Sequence, residues 1–119
     1  MELSTQELTK EIVNILDSKK AEDIEVLRIG DISILADYFI LCTGSSSTHV
    51  KALADEVEYK LSEMGIEPHH IEGYRGANWI LMDYSGVVVH ILYKEAREFY
   101  KIERLWADAE NIDVSSLLG

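Results

Sequence analysis

The sequence predicts a mixed α/β domain in which helices flank a partly antiparallel sheet. Three observations carry this. Two segments repeat apolar residues at helical spacing. The run Tyr38-Phe39-Ile40-Leu41-Cys42-Thr43 is uncharged and rich in aromatic and branched residues, as in a strand buried on both faces. Residues 78–93 read as two strands joined by Ser85-Gly86. With 119 residues there is room for one domain, read as a core over about 5–106 and a tail over 107–119.

Taken in order, Ser4 with Glu7 forms a capping-box pattern and opens a helix over 5–20, where Leu8, Ile12, Ile15 and Leu16 make one stripe. A short strand follows over 24–29, with Gly30-Asp31 as a turn. The stretch 32–37 reads either as irregular or as one helical turn. After the buried strand over 38–43, the loop Gly44-Ser45-Ser46-Ser47-Thr48 supplies helix N-caps. Val50, Leu53, Ala54, Val57, Leu61 and Met64 then mark a helix that Gly65 stops. Pro68 ends any continuation, and a short strand is expected near 69–73. A last helix is expected over 94–106, with Ala96, Phe99, Ile102, Leu105 and Trp106 as its apolar residues. The tail carries Ile112, Val114, Leu117 and Leu118 without periodicity and is assigned no element.

Composition narrows the function. Eleven Lys and Arg against 22 Asp and Glu give a net charge of −11, which disfavours phosphate-backbone binding and favours a basic partner. Lys94, Arg97, Lys101 and Arg104 cluster, but Glu95, Glu98 and Glu103 are interleaved, so the segment reads as a solvated helix face, with partner contact as the rival. Cys42 is the sole cysteine and reads as a buried thiol in a reducing compartment. The first residues show no secretory or organelle signal, and no stretch is long and apolar enough to span a membrane, which points to the cytoplasm.

The hairpin has two unlike faces. If Tyr84 faces Val87, then Ile80, Met82 and Tyr84 share a face with Val87, Val89, Ile91 and Tyr93, and the helices cover it. The other face carries Trp79, Leu81 and Asp83 with Val88, His90 and Leu92. Here Asp83 lies opposite Val88 and diagonal to His90, within hydrogen-bond reach. His90 reads as a satisfied core or edge histidine or as part of a recognition surface; Asp83 reads as a turn-capping carboxylate or as a polar group in that surface. Trp79 and Trp106 are the best anchors.

Catalytic chemistry finds little support. His69-His70 with Glu72 is the densest ligand group, yet adjacent strand residues point to opposite faces, and neither a Cys pair nor His-Glu-x-x-His occurs. Gly44-Ser45 lacks the Gly-x-Ser-x-Gly elbow and the lysine of a phosphate loop. Nucleotidyl transfer needs two acids in Asp-x-Asp to hold magnesium, whereas Asp83 has Leu81 and Ser85 at the two flanking positions.

Several segments together carry a resemblance: Asp37-Tyr38-Phe39-Ile40, Gly44-Ser45-Ser46, the run from Val50 to Val57, Glu72-Gly73, Trp79-Ile80-Leu81-Met82-Asp83-Tyr84, Val87-Val88-Val89-His90-Ile91, Arg97, Phe99-Tyr100 and Leu105-Trp106. In this order they resemble the ribosomal silencing factor, or Iojap-related, family from about Leu8 to Trp106. The resemblance implies a nucleotidyltransferase-like fold without catalytic acids, no enzymatic activity and no cofactor or metal. It implies a translational repressor that binds ribosomal protein uL14 on the free large subunit and blocks joining of the small subunit, notably in starvation or stationary phase. A homodimer off the ribosome is implied as well. Carried over by position, Trp79, Leu81, Asp83, Tyr84, His90, Tyr100, Glu103, Leu105 and Trp106 are the partner-binding candidates. Two positions depart from the family pattern: Thr48-His49 replaces an Arg-Gln pair, and Ser85-Gly86 replaces a Gly-Asp turn. A ribosome-assembly factor or general protein-binding adaptor using the same face is the alternative.

Overall fold

A computed structural model describes residues 3–34 and 36–119. The elements are α1 (Thr5–Ser18), β1 (Glu22–Arg28), β2 (Tyr38–Gly44), α2 (Ser47–Glu63), β3 (His70–Glu72), β4 (Trp79–Asp83), β5 (Val87–Tyr93), α3 (Lys94–Tyr100), α4 (Ile102–Leu105) and β6 (Glu110–Ile112), followed by a single 3-10 turn over Val114–Ser116. The strands form one sheet in the order β3-β4-β5-β2-β1-β6. Among the described residues only the central β2–β5 pair is parallel; the other pairs are antiparallel. None of the described helices is long and apolar enough to cross a membrane.

Local signals set the helix ends. The Ser4 hydroxyl accepts from the Glu7 amide at 3.1 Å while the Ser4 amide donates to the Glu7 carboxylate at 2.9 Å, the reciprocal capping box. In α2, Ser46 caps the His49 amide at 3.0 Å. At the other end Ile66 N donates to Leu61 O and Gly65 N to Ser62 O, with Gly65 at φ +79°. That is a Schellman stop, and glycine takes its left-handed position without a Cβ clash.

The main core lies where α1 and α2 pack on one face of the sheet. Leu8, Ile12, Val13 and Leu16 from α1 meet Val50, Leu53, Val57 and Leu61 from α2 over Ile40, Cys42, Ile80, Met82, Val89 and Ile91. Each fully buried aliphatic side chain here contributes about 2 kcal/mol of transfer free energy. The hairpin register matches the expectation, with Asp83 opposite Val88 and Leu81 opposite His90. Its turn explains why Ser85-Gly86 stands in that order. Ser85 takes the positive φ (+71°), and a Cβ on Gly86 would strike the Thr5 methyl, so glycine is needed for close approach.

One expectation changes and two open readings are decided. The helix expected over 94–106 is interrupted at Lys101, which adopts φ 47°, ψ 53° and splits it into α3 and α4. The unassigned tail adds edge strand β6 against β1, and Ile112, Val114 and Leu117 pack on the main core. In the stretch 32–37, Ile32 N and Ser33 N both donate to Ile29 O, one turn that is not continued into a helix among the described residues. Leu35 lies outside them.

Candidate docking face

The second face of the sheet is built by alternation. Phe39 and Leu41 of β2, Val88 and Leu92 of β5, and Leu27 of β1 point away from α1 and α2 into a smaller cluster with Ile29, Ala96 and Ile102. Trp79, Leu81 and Trp106 pack on its margin, only partly buried. The cover on this side is α3 and α4, which are short; Phe39, Leu41, Val88, His90 and Leu92 are buried, and exposure begins at the margin with Trp79, Leu81 and Trp106. Aromatic rings run across it: Phe99 meets Tyr100 at 5.0 Å, Tyr100 meets Trp79 at 4.9 Å, Trp79 meets His90 at 5.9 Å, His90 meets Phe39 at 4.7 Å, and Phe39 meets Trp106 at 5.2 Å between centroids. Phe99 is 80% exposed and Leu105 77%, values unusual for large apolar side chains. Beside Trp79 and Leu81, a depression of about 320 Å³ is rimmed by Glu72 and Gly73.

His90 sits under this surface and not on it. Trp79 Nε1 donates to His90 Nδ1 at 3.1 Å, which puts the imidazole proton on Nε2. Nε2 is buried and has no partner among the described residues. Burial lowers the His90 pKa to about 4, so the ring is neutral at ordinary pH. The expected approach of Asp83 to His90 is therefore not the bond that forms. Asp83 Oδ1 instead accepts from the Ser85 amide at 2.7 Å, and its other oxygen stands 3.5 Å from His70 Nδ1 on β3. This carboxylate orders the turn and the edge strand.

The remaining candidates separate. Tyr84 points to the opposite face, buried in the main core with a hydroxyl that finds no partner among the described residues. Burial, then Glu58 and Glu67, raises its pKa. It is thus removed from a surface on this side. Tyr100 and Trp106 flank the sheet face through Trp79 and Phe39, while Leu105 projects outward from α4. Glu103 is committed to Arg97, whose Nε lies 3.3 Å from its carboxylate.

The reading of this segment as a solvated face holds for the exposed Lys94, Glu95, Glu98, Lys101 and Arg104 and fails at Arg97. Arg97 is 8% exposed, and its Nη1 donates to Asp23 O and to Thr43 Oγ1, both at 3.0 Å, while Nη2 stands 3.6 Å from Glu25. Interleaved charges concealed it, because spacing alone cannot tell a buried guanidinium from a solvated one. Phe99 was also missed as a surface contributor, and Phe39 as the buried ring that joins His90 to Trp106. Extending the hairpin alternation across the parallel pair would have put Phe39 on this face; Phe99 gave no signal, since its helical spacing suggested core.

The sites considered for catalysis have other uses. His49 Nδ1 takes the Ser45 amide at 2.9 Å and lies 3.2 Å from the Ser45 hydroxyl, with Nε2 2.9 Å from Lys19 O. Its acceptor lone pair is claimed first by a backbone amide, which makes the pair a loop clamp. His70 bonds Glu72 at 2.9 Å, and no group of three or more potential ligands gathers among the described residues. Cys42 is buried and its pKa is pushed up to about 12 by that burial, with Arg97 opposing.

Comparison with known proteins gives a consistent result. The family described as "Ribosomal silencing factor during starvation" matches residues 2–118. The chain is similar to the ribosomal silencing factor of Halalkalibacterium halodurans, 40% identical over 117 residues, covering 98% of this chain and all of that protein. The Bacillus subtilis factor of the same name is 43% identical over 98 residues, covering 82% of this chain and 83% of that one. A crystal structure of a Chromobacterium violaceum protein superposes with a TM-score of 0.85 at 36% identity, covering 88% of each chain.

Proposed function

The chain belongs to the ribosomal silencing factor family, and from that premise we propose that it represses translation by docking its second sheet face on ribosomal protein uL14 of the free large subunit, where its bulk blocks the small subunit. Silencing the ribosome is the family's role; uL14 as the partner and the sheet face as the surface are what we add to it. The observation that carries it is the aromatic run whose ends are exposed or half-buried, Phe99, Tyr100 and Trp79 at one edge and Trp106 at the other, joined by the buried rings of His90 and Phe39. Amphipathic rings with exposed aliphatic neighbours are what protein interfaces use as anchors. Trp79, Leu81, Tyr100, Leu105 and Trp106 form the contact set, joined by Phe99. Asp83, Glu103 and His90 support it from the margin or from beneath.

Charge favours the same partner. A chain at −11 is drawn to a basic ribosomal protein and repelled by bare rRNA. Exclusion of a subunit needs a surface and bulk but no turnover, in keeping with an inert Cys42 and a single acid at Asp83 where nucleotidyl transfer would need two. A second copy of the chain docked on the same face would compete with the ribosome. The reading puts the protein in the cytoplasm, with its ribosomes.

Co-sedimentation tests the reading. The protein should pellet with purified large subunits and not with assembled ribosomes. Trp79→Ala should weaken that binding by tenfold or more, about 1.4 kcal/mol or greater, with an unchanged circular dichroism spectrum. Pelleting with neither particle would refute it. Crosslinking from a position beside Trp79 that captured a different protein would favour the adaptor reading instead.

A further inference from the structure

We propose that Arg97 is a positioning residue for this face, setting the distance between its two aromatic edges, an inference that rests on the docking reading above. Its guanidinium grips separate elements at once: the Asp23 carbonyl and Glu25 on β1, Thr43 on β2, and Glu103 on α4. Arg97 itself stands on α3. One buried, planar donor fork thus holds both halves of the interrupted helix against the sheet.

The break at Lys101 and the Arg97–Glu103 pair explain each other. In a continuous α-helix, residues six apart rise about 9 Å and turn about 240° from one another, so their side chains diverge. Here Glu103 reaches Arg97 Nε at 3.3 Å because the left-handed Lys101 folds α4 back. Neither piece is long enough to persist as a helix without tertiary support. The first edge of the face hangs on α3, through Phe99 and Tyr100 stacked on Trp79. The second hangs on α4, through exposed Leu105 and through Trp106 packed on Phe39. The hydrogen bonds and ion pairs of Arg97 go to β1, β2 and α4 and not to the rings of either edge, so that it sets the distance between the two edges from behind. Loss of its grip leaves the main core on the opposite face intact but lets α4 detach.

The test uses the full chain with Arg97→Met, Arg97→Lys, Glu103→Gln and Trp79→Ala. Large-subunit co-sedimentation gives affinity, far-ultraviolet circular dichroism gives fold, and Trp106 fluorescence in a Trp79→Phe background reports the α4 edge. Arg97→Met should stay folded, shift Trp106 emission to the red and weaken binding about tenfold. Arg97→Lys keeps the charge but not the fork, and should recover less than half of that loss. Glu103→Gln should reproduce the emission shift, and the double variant should bind no worse than Arg97→Met alone, as coupled residues do. Wild-type binding by folded Arg97 variants, full rescue by lysine, or additive losses in the double variant would each overturn the proposal. Should Arg97→Met fail to fold, Glu103→Gln decides by the same emission shift and binding loss. If Trp79→Ala binds as the wild type does, the docking reading has failed, while the Trp106 shift still reports whether Arg97 sets the edge.

Discussion

Acid should destabilise this protein through His90, and the size of the effect follows from its burial. The unfolded chain presents an ordinary imidazole near 6.5, whereas the folded ring titrates near 4. Between those values the unfolded state binds a proton that the folded state refuses. Stability is therefore fully present above pH 6.5 and falls as pH drops toward 4. The loss works out to about 2 kcal/mol between pH 7 and pH 5 and about 3 kcal/mol by pH 4. Protonation would also put a second donor on Nδ1, where Trp79 Nε1 already donates. His90→Asn sets an amide oxygen near the Nδ1 position, so it keeps the acceptor but cannot titrate in this range. It gives up ring packing against Phe39 at a cost of about 2 kcal/mol at every pH. Urea denaturation followed by circular dichroism at pH 7, 6 and 5 compares the two. The exposed carboxylates and histidines contribute alike to both proteins and cancel. The wild type should lose about 2 kcal/mol more than the variant over that range, so that the two curves meet near pH 5. Parallel curves would refute the assignment of a neutral buried ring.

Two backbone positions give further tests by thermal unfolding. Lys101→Gly removes the Cβ from a left-handed residue and should stabilise by up to about 1 kcal/mol, raising Tm by about 4 °C; an unchanged or lower Tm would contradict the strain argument. Gly73→Ala, at φ +81°, would drive a Cβ into the Trp79 carbonyl oxygen and should cost more than about 2 kcal/mol. A melt within a degree of wild type would show that the loop beside Trp79 relaxes freely.

Much of the fold was legible because the decisive signals are local. The Ser4–Glu7 box, the Val50-to-Leu61 stripe and the stop at Gly65 depend on neighbours within a turn, and the hairpin register follows from a two-residue turn and strict alternation. The break at Lys101 was illegible for the opposite reason. It is imposed by the distant partners of Arg97, while the apolar spacing from Ala96 to Trp106 suits an unbroken helix. Strand β6 was hidden because Glu110–Ile112 is too short to show a period and is held mainly by β1. At the site, alternation correctly separated Trp79 and Leu81 from Ile80 and Met82. It could not say how deep each would lie: His90 and Trp79 share a face, yet one is sealed and the other half-open. Tyr84 was carried over with its motif although the same alternation had already set it among the core residues.

The parallel seam between β2 and β5 has a consequence for synthesis. Tyr38 pairs with Val87 and Gly44 with Tyr93, so β2 meets its central neighbour about fifty residues later in the chain. At ordinary elongation rates that delay is roughly 3–10 s. Until then Phe39, Ile40, Leu41 and Cys42 can pair only with β1, and their other edge, apolar and uncharged, stands open as a template for association. A protein of a ribosome-silencing family thus passes through an aggregation-prone interval of its own while still on the ribosome, and slow elongation would prolong it.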